Sequence, residues 1–447
     1  MNNVSTSDIA EAYKKSCDRH HTRALPIVLQ QIVALPVGVG GRIECLSMRN
    51  SRLEAGQCEC LEEVFRRVQF QTLDLEGCEL EDDTAIPLFD MIEFYDSAIH
   101  LNISGNSKIG NRGWHACARM MKRTQSLRTL EARATNLSEQ NMPIVCKALK
   151  LGTRLHTLHL ENCNLTGRPL VTLAGVLRVN DTITELFLAD NRLGANDSIQ
   201  LGNLVRANRT LRLLDLRNNN IQDTGCAHIC KDIAEQQACL TTLVLWNNHI
   251  TVHSIPYFSL MLHANATLET LNLGRNNITS EGVLLLKSSL IRNRCLKRVG
   301  LQASRIGNEG AVALAECLAD NGVIERIDLR ENNIQVAGLL ALCRSLKMNS
   351  TVVQLDLDAN PRAEPTADLN EQHLTLHQEI KSLCQKNQTR AHLRSATETK
   401  KKGEGSKAES NATSAPRPRP PSARAPRPRP VRPPAPCPAP SRTDSGS

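Results

Sequence analysis

A leucine-rich phrase that recurs every 27 to 29 residues constrains this chain more than any other feature. Residues 240–250, LTTLVLWNNHI, read L-x-x-L-x-L-x-x-N-x-I, and close copies occur at 211–221, 268–278 and 324–334. We call the leucine that opens each L-x-L pair, or its substitute, the key of that repeat. Twelve keys follow one another along the chain: Leu46, Leu73, Leu101, Leu130, Leu158, Leu186, Leu214, Leu243, Leu271, Val299, Ile327 and Leu355. Such a period predicts a leucine-rich repeat solenoid.

Each unit has room for one strand and one helix. The two leucines of L-x-L point to the same side of a strand, so they enter the core together. The rest of the unit has helical spacing, as in Val312, Leu314, Ala315 and Leu318. We therefore predict an α/β fold, a curved horseshoe of about twelve 28-residue repeats, with parallel strands on the concave face and helices on the convex face.

A small polar residue stands five positions after each key. It is most often asparagine: Asn106, Asn191, Asn219, Asn248, Asn276, Asn332 and Asn360. Cysteine, serine or threonine occupies this position in the other repeats. A side chain of this kind is expected to bond backbone groups that are freed where the strand turns away.

The composition divides the chain into four segments. Residues 1–41 read as an N-terminal helical cap, with Ser7 and Asp8 capping a first helix and a second helix over 24–35. The Gly-rich run 37–41 reads as a turn, since no phosphate-loop lysine follows it. The repeats occupy 42–362, and a C-terminal helical cap follows over 363–394. We predict that 395–447 is a disordered, basic, Pro/Arg-rich tail.

The net charge of +8 is carried by the end of the chain. From Lys386 onward there are 14 Lys/Arg against 4 Asp/Glu, which leaves about −2 for the rest. The repeats thus have no basic field, and aromatic residues are only 2% of the chain. Both observations argue against a nucleic-acid partner. The tail contains P-x-x-P and Arg–Pro pairs, which make SH3-type modules candidate partners, although the tail can also be an unread solvated segment.

No secretory signal core precedes the cap, and no run of 18 apolar residues occurs. We expect no membrane association and a reducing compartment, either the cytoplasm or the nucleus. The 16 cysteines are then free thiols. Cys117, Cys146, Cys230 and Cys343 all lie 16 residues after a key, where other repeats carry small residues, which predicts core positions. Cys58 and Cys60 have the wrong separation for a zinc site, and we expect no metal or cofactor.

The sequence contains no catalytic constellation, so we expect a binding protein and not an enzyme. Residues one before, one after and three after each key should point outward from the sheet. Most of these are polar, but Phe187, Leu213, Val244 and Trp246 fall on three neighbouring strands, accompanied by Asp215 and Arg217. An apolar cluster on a solvent face predicts a partner-binding site. The alternative is that the two aromatic rings stack on each other under arginine side chains.

Residues 67–70, Arg-Val-Gln-Phe, match the basic-Val-x-Phe pattern by which regulators dock on protein phosphatase 1. Phe70, however, stands three before the key Leu73, at the position of the first leucine of L-x-x-L. We expect Phe70 to be buried, and an extended docking peptide must be accessible. The structural reading of this segment is therefore favoured.

Across residues 6–360 the chain resembles the protein phosphatase 1 regulatory subunit 37 family. The resemblance lies in segments such as LEEVFRRVQF (61–70), LFDMIEFYDSAIHLNISGN (88–106), LHLENCNLTGRPL (158–170) and TLVLWNN (242–248). It implies a ribonuclease-inhibitor-type repeat fold and a non-catalytic subunit that binds and inhibits the phosphatase catalytic subunit. Family members carry their docking motif ahead of the repeats. This sequence begins at the cap, so we expect either an incomplete gene model or phosphatase binding that has moved or been lost.

Two other functions fit the repeats. One is a general protein–protein scaffold with an unknown partner. The other is a Ran-type GTPase-activating protein, a family that uses repeats of similar length but ends them in an acidic stretch, whereas this chain ends in a basic one. A ribonuclease inhibitor shares the fold, but it alternates two repeat types, and these spacings show no alternation.

Overall fold

The computed structural model describes residues 5–35, 41–235, 239–358 and 366–410, with side chains as far as Leu393. The chain divides into two compact units, Met1–His392 and Leu393–Ser447. The first unit contains all twelve repeats. The second unit is described only to Ser410, and it is helical over that length. Predictions that concern 36–40, 359–365 and 411–447, including Asn360 and most of the tail, lie outside the described residues.

Twelve short strands form one parallel sheet in chain order, from β1 to β12. They are β1 (Ile43–Ser47), β2 (Phe70–Asp74), β3 (Ala98–Asn102), β4 (Thr129–Glu131), β5 (Thr157–His159), β6 (Glu185–Phe187), β7 (Leu213–Asp215), β8 (Thr242–Val244), β9 (Thr270–Asn272), β10 (Arg298–Gly300), β11 (Arg326–Asp328) and β12 (Gln354–Asp356). Every predicted key lies in a strand and is paired with the key of the next repeat, as Leu214 is with Leu243. The predicted leucine-rich repeat solenoid of the α/β class is confirmed.

Helices connect the strands. They are α1 (Thr6–Arg19), α2 (Pro26–Val33), α3 (Ala55–Cys60), α4 (Glu62–Phe65), α5 (Asp82–Tyr95), α6 (Asn111–Arg123), α7 (Met142–Leu151), α8 (Arg168–Leu177), α9 (Ala195–Ala207), α10 (Gln222–Glu235), α11 (Ile255–Ala264), α12 (Thr279–Arg292), α13 (Asn308–Asp320), α14 (Val336–Met348) and α15 (Ala367–Ser410). Each repeat helix buries its apolar face against the core-facing side of the strands, and the buried side chains form one continuous core.

The asparagine column predicted from the sequence is present and buried. Asn191 is fully buried; its amide donates to the carbonyls of Leu160, Leu188 and Ala189, and its Oδ1 accepts from the N–H of Cys163 and of Leu165. In other repeats, a different polar side chain at this position makes some of the same hydrogen bonds. The thiol of Cys78 donates to the Met48 carbonyl at 3.1 Å. These bonds tie each turn to its neighbours.

The residue four after the key has a left-handed backbone in each of the first eleven repeats. These residues have φ between 51° and 75°, and they are Asn50, Gly77, Gly105, Ala134, Asn162, Asp190, Asn218, Asn247, Arg275, Ala303 and Glu331. The conformation turns the chain sharply at the end of the strand. In Asn218 it aims the N–H at the Trp246 carbonyl of the next repeat, 2.9 Å away. A conformation that is costly for most residue types is thus offset by an inter-repeat hydrogen bond.

Side chains of the terminal helices bond both ends of the repeat array. At the first edge, the Gln31 amide of α2 donates to the Ser47 carbonyl at 2.7 Å and accepts from the Ser47 N–H at 2.8 Å. At the other end of the array, Asn387 of α15 donates to the carbonyls of Asn349 and Val352, in the loop between α14 and β12. Edge strands otherwise expose unpaired backbone groups.

The structure moves two boundaries. The first helix is capped by Ser5, whose hydroxyl accepts from the Ser7 N–H, while Asp8 bonds back to the Ser5 N–H; the predicted cap at Ser7 is wrong by two residues. Asp8 is the third helical residue and completes a capping box. The helix predicted to end at 394 continues to Ser410, through a run rich in Lys, Glu and Ala that favours helix.

Candidate functional site

The sheet presents one face to solvent, built from residues one before, one after and three after each key. We call this side the sheet face. The six residues predicted to form a partner site lie together on it, on β6, β7, β8 and the turns that follow them. Phe187, Asp215 and Val244 are consecutive partners in the strand register, and Leu213 is paired with Thr242. The predicted cluster is therefore contiguous.

The Trp246 side chain leans across the next repeat, toward Gly274 and Arg275. A Cβ atom built on Gly274 would stand 2.5 Å from the indole Cδ1 and 2.9 Å from Nε1, so the ring occupies the space that a side chain at 274 would fill. The Arg275 guanidinium stands 5.2 Å from the ring centroid, a cation–π distance. Trp246 is half-buried between these two residues of the next repeat.

Phe187 does not stack on Trp246. Its ring is stacked on the imidazole of His159, with centroids 4.0 Å apart and planes at 10°. The alternative in which the two aromatic residues shield each other is therefore wrong; each ring has a different neighbour. Phe187, Leu213 and Val244 are all half-buried, which leaves a shallow apolar surface between the two rings.

Asp215 differs from the prediction. Its side chain faces the same side of the sheet, but the residue is only 1% exposed, because the Arg217 guanidinium covers it and binds its carboxylate. Hydrogen bonding to Asp215 raises the pKa of the Arg217 guanidinium. The half-exposed Arg217, and not Asp215, is the charge that a partner would meet at this position.

A charged network borders the cluster on β3 to β5. Glu131 accepts from His100 at 2.6 Å and pairs with Arg133 at 2.8 Å, and Arg133 also pairs with Glu161 at 3.1 Å. The bond from His100, aided by the Arg133 charge, holds the pKa of Glu131 below its usual value. Arg133 further contacts His159 Nδ1 at 3.1 Å, so the network reaches the imidazole that supports Phe187.

The basic-Val-x-Phe segment is structural, as predicted. Phe70 begins β2, is 1% exposed, and packs edge-on against Phe65 with ring centroids 6.4 Å apart. Arg67 forms an ion pair with Glu63 one helical turn earlier. A peptide with one end in the sheet and its phenylalanine in the core cannot dock on another protein.

In the parts of the chain that the structure describes, no group of three or more His, Cys, Asp or Glu side chains is arranged to hold a metal ion. No described helix combines the length and apolarity needed to cross a membrane. Cysteines are free, and most are buried, including Cys117, Cys146, Cys230 and Cys343 at the predicted core position.

The sequence reasoning missed the residues that position the cluster. Gly274 and Arg275 support Trp246, and His159 supports Phe187, yet none of the three was predicted. A signal was available, because Gly274 stands at the same offset from its key as Trp246, three residues after it, one repeat later. A glycine next to a large residue in one row indicates that the large side chain leans across it.

Comparisons with known proteins agree with the fold. A leucine-rich repeat family model matches residues 207–230, 264–287, 292–315 and 321–343. Among solved structures, the crystal structure of the yeast Rad7 and Elc1 complex aligns with a TM-score of 0.50 and 17% identity, covering 81% of this chain and 87% of that chain. This likeness shows the fold alone.

Curated relatives give a closer similarity. The chain is 47% identical over 261 residues to protein phosphatase 1 regulatory subunit 37 of Danio rerio, covering 58% of this chain and 28% of the relative. It is 44% identical over 261 residues to the Homo sapiens protein of that name, covering 58% and 38%. A Caenorhabditis elegans homolog is 39% identical over 254 residues, covering 56% and 27%. The chain thus spans less than two fifths of the length of these relatives.

Proposed function

Because this leucine-rich repeat chain belongs to the protein phosphatase 1 regulatory subunit 37 family, we propose that it binds the catalytic subunit of protein phosphatase 1 and inhibits it. The observation that carries the proposal is the identity of 44 to 47% with relatives that bear that name. The repeats supply a surface and not a reaction, so we propose a regulatory role without catalysis of its own.

We further propose that the sheet-face cluster is the contact surface. Phe187, Leu213, Val244 and Trp246 form a half-exposed apolar surface, and Arg217 and Arg275 stand beside it. Aromatic residues and arginine dominate the binding energy of many interfaces, particularly where an apolar centre has a polar border. The segment 67–70 is excluded from this role because Phe70 is buried.

Inhibition would follow from steric exclusion. A partner seated on the sheet face would be flanked by neighbouring repeats on both sides, since the cluster lies on β6 to β8 of twelve strands. A solenoid that contacts the catalytic subunit over a wide area restricts the approach of phosphoprotein substrates. We therefore expect the chain to lower activity toward a large phosphoprotein more than toward a small aryl phosphate.

The direct test is calorimetric titration of the full chain with the purified catalytic subunit, together with Trp246→Ala. We expect Trp246→Ala to weaken binding by at least about 2 kcal/mol, as for an interface hot spot, with a nearly unchanged melting temperature. The control is Phe94→Ala, which removes an aromatic ring that is 80% exposed on α5, far in sequence from the cluster. Absence of binding by the unaltered chain would overturn the phosphatase proposal.

The unfolding free energy of the Trp246→Ala variant shows whether Trp246 is a surface residue or a core residue. Loss of about 3–5 kcal/mol of unfolding free energy would be the result expected of a core aromatic residue, and it would remove Trp246 from the proposed surface.

A competition experiment tests the location of the contact. A synthetic basic-Val-x-Phe peptide should occupy the docking groove of the catalytic subunit and leave this chain bound, because the matching segment here is buried. Displacement of the chain by the peptide would place the contact in another segment and would exclude the sheet face as the main site.

A further inference from the structure

A cleft between α6 and α7 lies on the helical side of the repeats, away from the sheet face. It has a volume of about 420 Å³. Its floor is apolar, formed by the buried Ala118 and Ala148 and the half-buried Ile144, and Leu151 stands at its rim with 58% of its surface exposed. A cleft with an apolar floor between two helices has the form that receives an amphipathic helix.

Every ionisable residue that lines the cleft is basic. They are His115, Arg119, Lys122, Arg123 and Lys147, and all five are exposed. A concentration of one charge sign is unusual here, since the repeats as a whole are close to neutral. Such a site attracts a partner of the opposite sign and repels basic ones.

At the preceding junction, between α5 and α6, the basic side chains have acidic partners. There Arg119 forms an ion pair with Asp90, and Arg123 pairs with Glu93 at 2.9 Å. The guanidiniums of α6 are thus engaged by carboxylates of α5. The charges across this junction compensate each other within the chain.

The α6–α7 junction lacks that compensation. The sequence of α7, MPIVCKALKL, contains no Asp or Glu. His115, Lys122 and Lys147 accordingly form no ion pair within the described part of the chain. The cationic rim around the apolar floor is available to carboxylates from outside the chain.

We infer that this cleft binds an acidic amphipathic helix of a partner protein. An apolar stripe of that helix covers Ile144 and Leu151, and carboxylates that flank the stripe on the same side pair with Lys122 and Lys147. The ammonium groups of Lys122 and Lys147 pair with carboxylates without the fixed two-pronged geometry of arginine, so the site selects charge and spacing. This contact is independent of the sheet face and of any phosphatase binding there.

The probe is a fluorescein-labelled peptide of about 18 residues, or five helical turns, with a stripe of leucine along one face and glutamate at the positions that flank this stripe. A matched peptide carries glutamine in place of every glutamate. We expect the acidic peptide to bind the full chain by fluorescence anisotropy, and its affinity to fall as salt rises. Affinity for the glutamine peptide should be about tenfold lower or more.

Two variants locate the binding. Lys122→Glu with Lys147→Glu should abolish the preference for the acidic peptide. Lys147→Glu alone should lower the affinity, whereas Lys150→Glu makes the same single charge change on an exposed residue of α7 that does not line the cleft, and it should leave the affinity nearly unchanged. Circular dichroism melting checks that all variants are folded. In the reverse experiment, a lysine-bearing version of the peptide should prefer the double variant.

Three results would overturn the inference. They are equal affinity for the glutamate and glutamine peptides, an equal loss with Lys150→Glu, or no binding of the acidic peptide up to about 1 mM. Equal loss with Lys150→Glu would identify the interaction as general attraction to α7 and not as recognition by the cleft.

Discussion

Asn191 shows how a single side chain fixes the relation between neighbouring repeats. Its amide group makes five hydrogen bonds to backbone groups of two repeats, and none of the bonding atoms is open to water. Removing the side chain leaves three carbonyls and two N–H groups without this partner. Buried groups of this kind are expensive to leave unsatisfied.

We expect Asn191→Ala to lower the unfolding free energy by about 3 kcal/mol or more, since each unsatisfied buried group costs about 1–3 kcal/mol and several are created. Urea unfolding followed by circular dichroism measures this difference. Asn220→Ala serves as the control, because Asn220 is exposed one residue after the equivalent position of the next repeat. A loss below about 1 kcal/mol for Asn191→Ala would contradict the structural role assigned to the column.

Gly274 is the residue on which the position of Trp246 depends. Its φ is not in the left-handed region, so the constraint is space and not backbone conformation. We expect Gly274→Ala to push the indole toward solvent, because the added Cβ would lie 2.5 Å from Cδ1. In a Trp114→Phe background, which leaves Trp246 as the chain's remaining tryptophan, the fluorescence emission should shift to longer wavelength.

The control for this substitution is Gly322→Ala, where an added Cβ meets no atom within 4 Å. If Trp246 binds a partner from its present position, Gly274→Ala and Trp246→Ala should weaken binding in a non-additive way. An unchanged emission spectrum would show that the indole does not need the space above Gly274.

At this scale the sequence predicts which side of the sheet a residue faces, and little more. Alternation along the strand placed Trp246, Phe187 and Val244 on the sheet face correctly. It could not predict the direction in which Trp246 leans or the cover that Arg217 places over Asp215, because both depend on side-chain rotamers and on residues one repeat away.

Among the elements, side chains of the terminal helices bond the first strand and the loop that leads into the last strand. In most of the later repeats, an asparagine stands six residues before the key, at the end of the helix. Its side-chain amide donates to backbone carbonyls of the previous repeat, as Asn349 does to those of Leu318 and Asn321. Asn387 of α15 donates to the Asn349 carbonyl, which is equivalent to that of Asn321, and it donates in addition to the Val352 carbonyl. The Asn349 carbonyl therefore meets the same kind of donor that it would meet inside the array.

We expect Asn387→Ala to loosen the final repeats selectively. Hydrogen exchange should become faster over α14 and β12, while β1 to β6 keep their protection, because each repeat contacts only its neighbours. Gln388→Ala is the control, since Gln388 is exposed on the same helix. Uniform acceleration along the chain would indicate a cooperative unit much longer than one repeat.

The positions of the terminal helices could be predicted from the sequence, but the hydrogen bonds that join them to the repeats could not. Apolar periodicity placed helices at both ends, yet the Gln31 bonds to Ser47 and the Asn387 bonds to Asn349 join segments that no local pattern connects. The column six before the key was also missed, although Asn180, Asn208, Asn265, Asn293, Asn321 and Asn349 repeat at a fixed offset. The leucine phrase covers only the strand half of each unit, and these asparagines stand at the helix end, outside that phrase.

For the whole molecule, one spacing rule accounts for the order of all twelve strands. Because the key-to-key distance is nearly constant, each strand must lie beside the previous one, and the parallel order β1 to β12 follows. The cleft between α6 and α7 is beyond such a rule. The basic character of the cleft depends on two local features. Helix α7 contains no Asp or Glu, and the arginines of α6 are paired with carboxylates of α5.

The same repetition places thiols in the core along the whole array, and this determines how the molecule responds to alkaline pH. Burial raises the pKa of the Cys58, Cys117 and Cys146 thiols to about 12. In an unfolded chain a thiol ionises at about pH 8.5. The stabilisation by each buried neutral thiol is therefore complete below that pH and is lost progressively as the pH rises toward 12.

We expect the free energy of unfolding, measured in urea under reducing conditions, to fall between about pH 9 and 11, with a contribution of up to about 1.4 kcal/mol per pH unit from each such thiol. Cys117→Ala with Cys146→Ala should reduce the slope by close to two such contributions, and Ala174 and Ala315 already occupy the equivalent position in other repeats. Cys239→Ala, at an exposed thiol, should leave the slope unchanged. Equal slopes for the double variant and the unaltered chain would mean that these thiols ionise as readily in the folded repeats as in the unfolded chain.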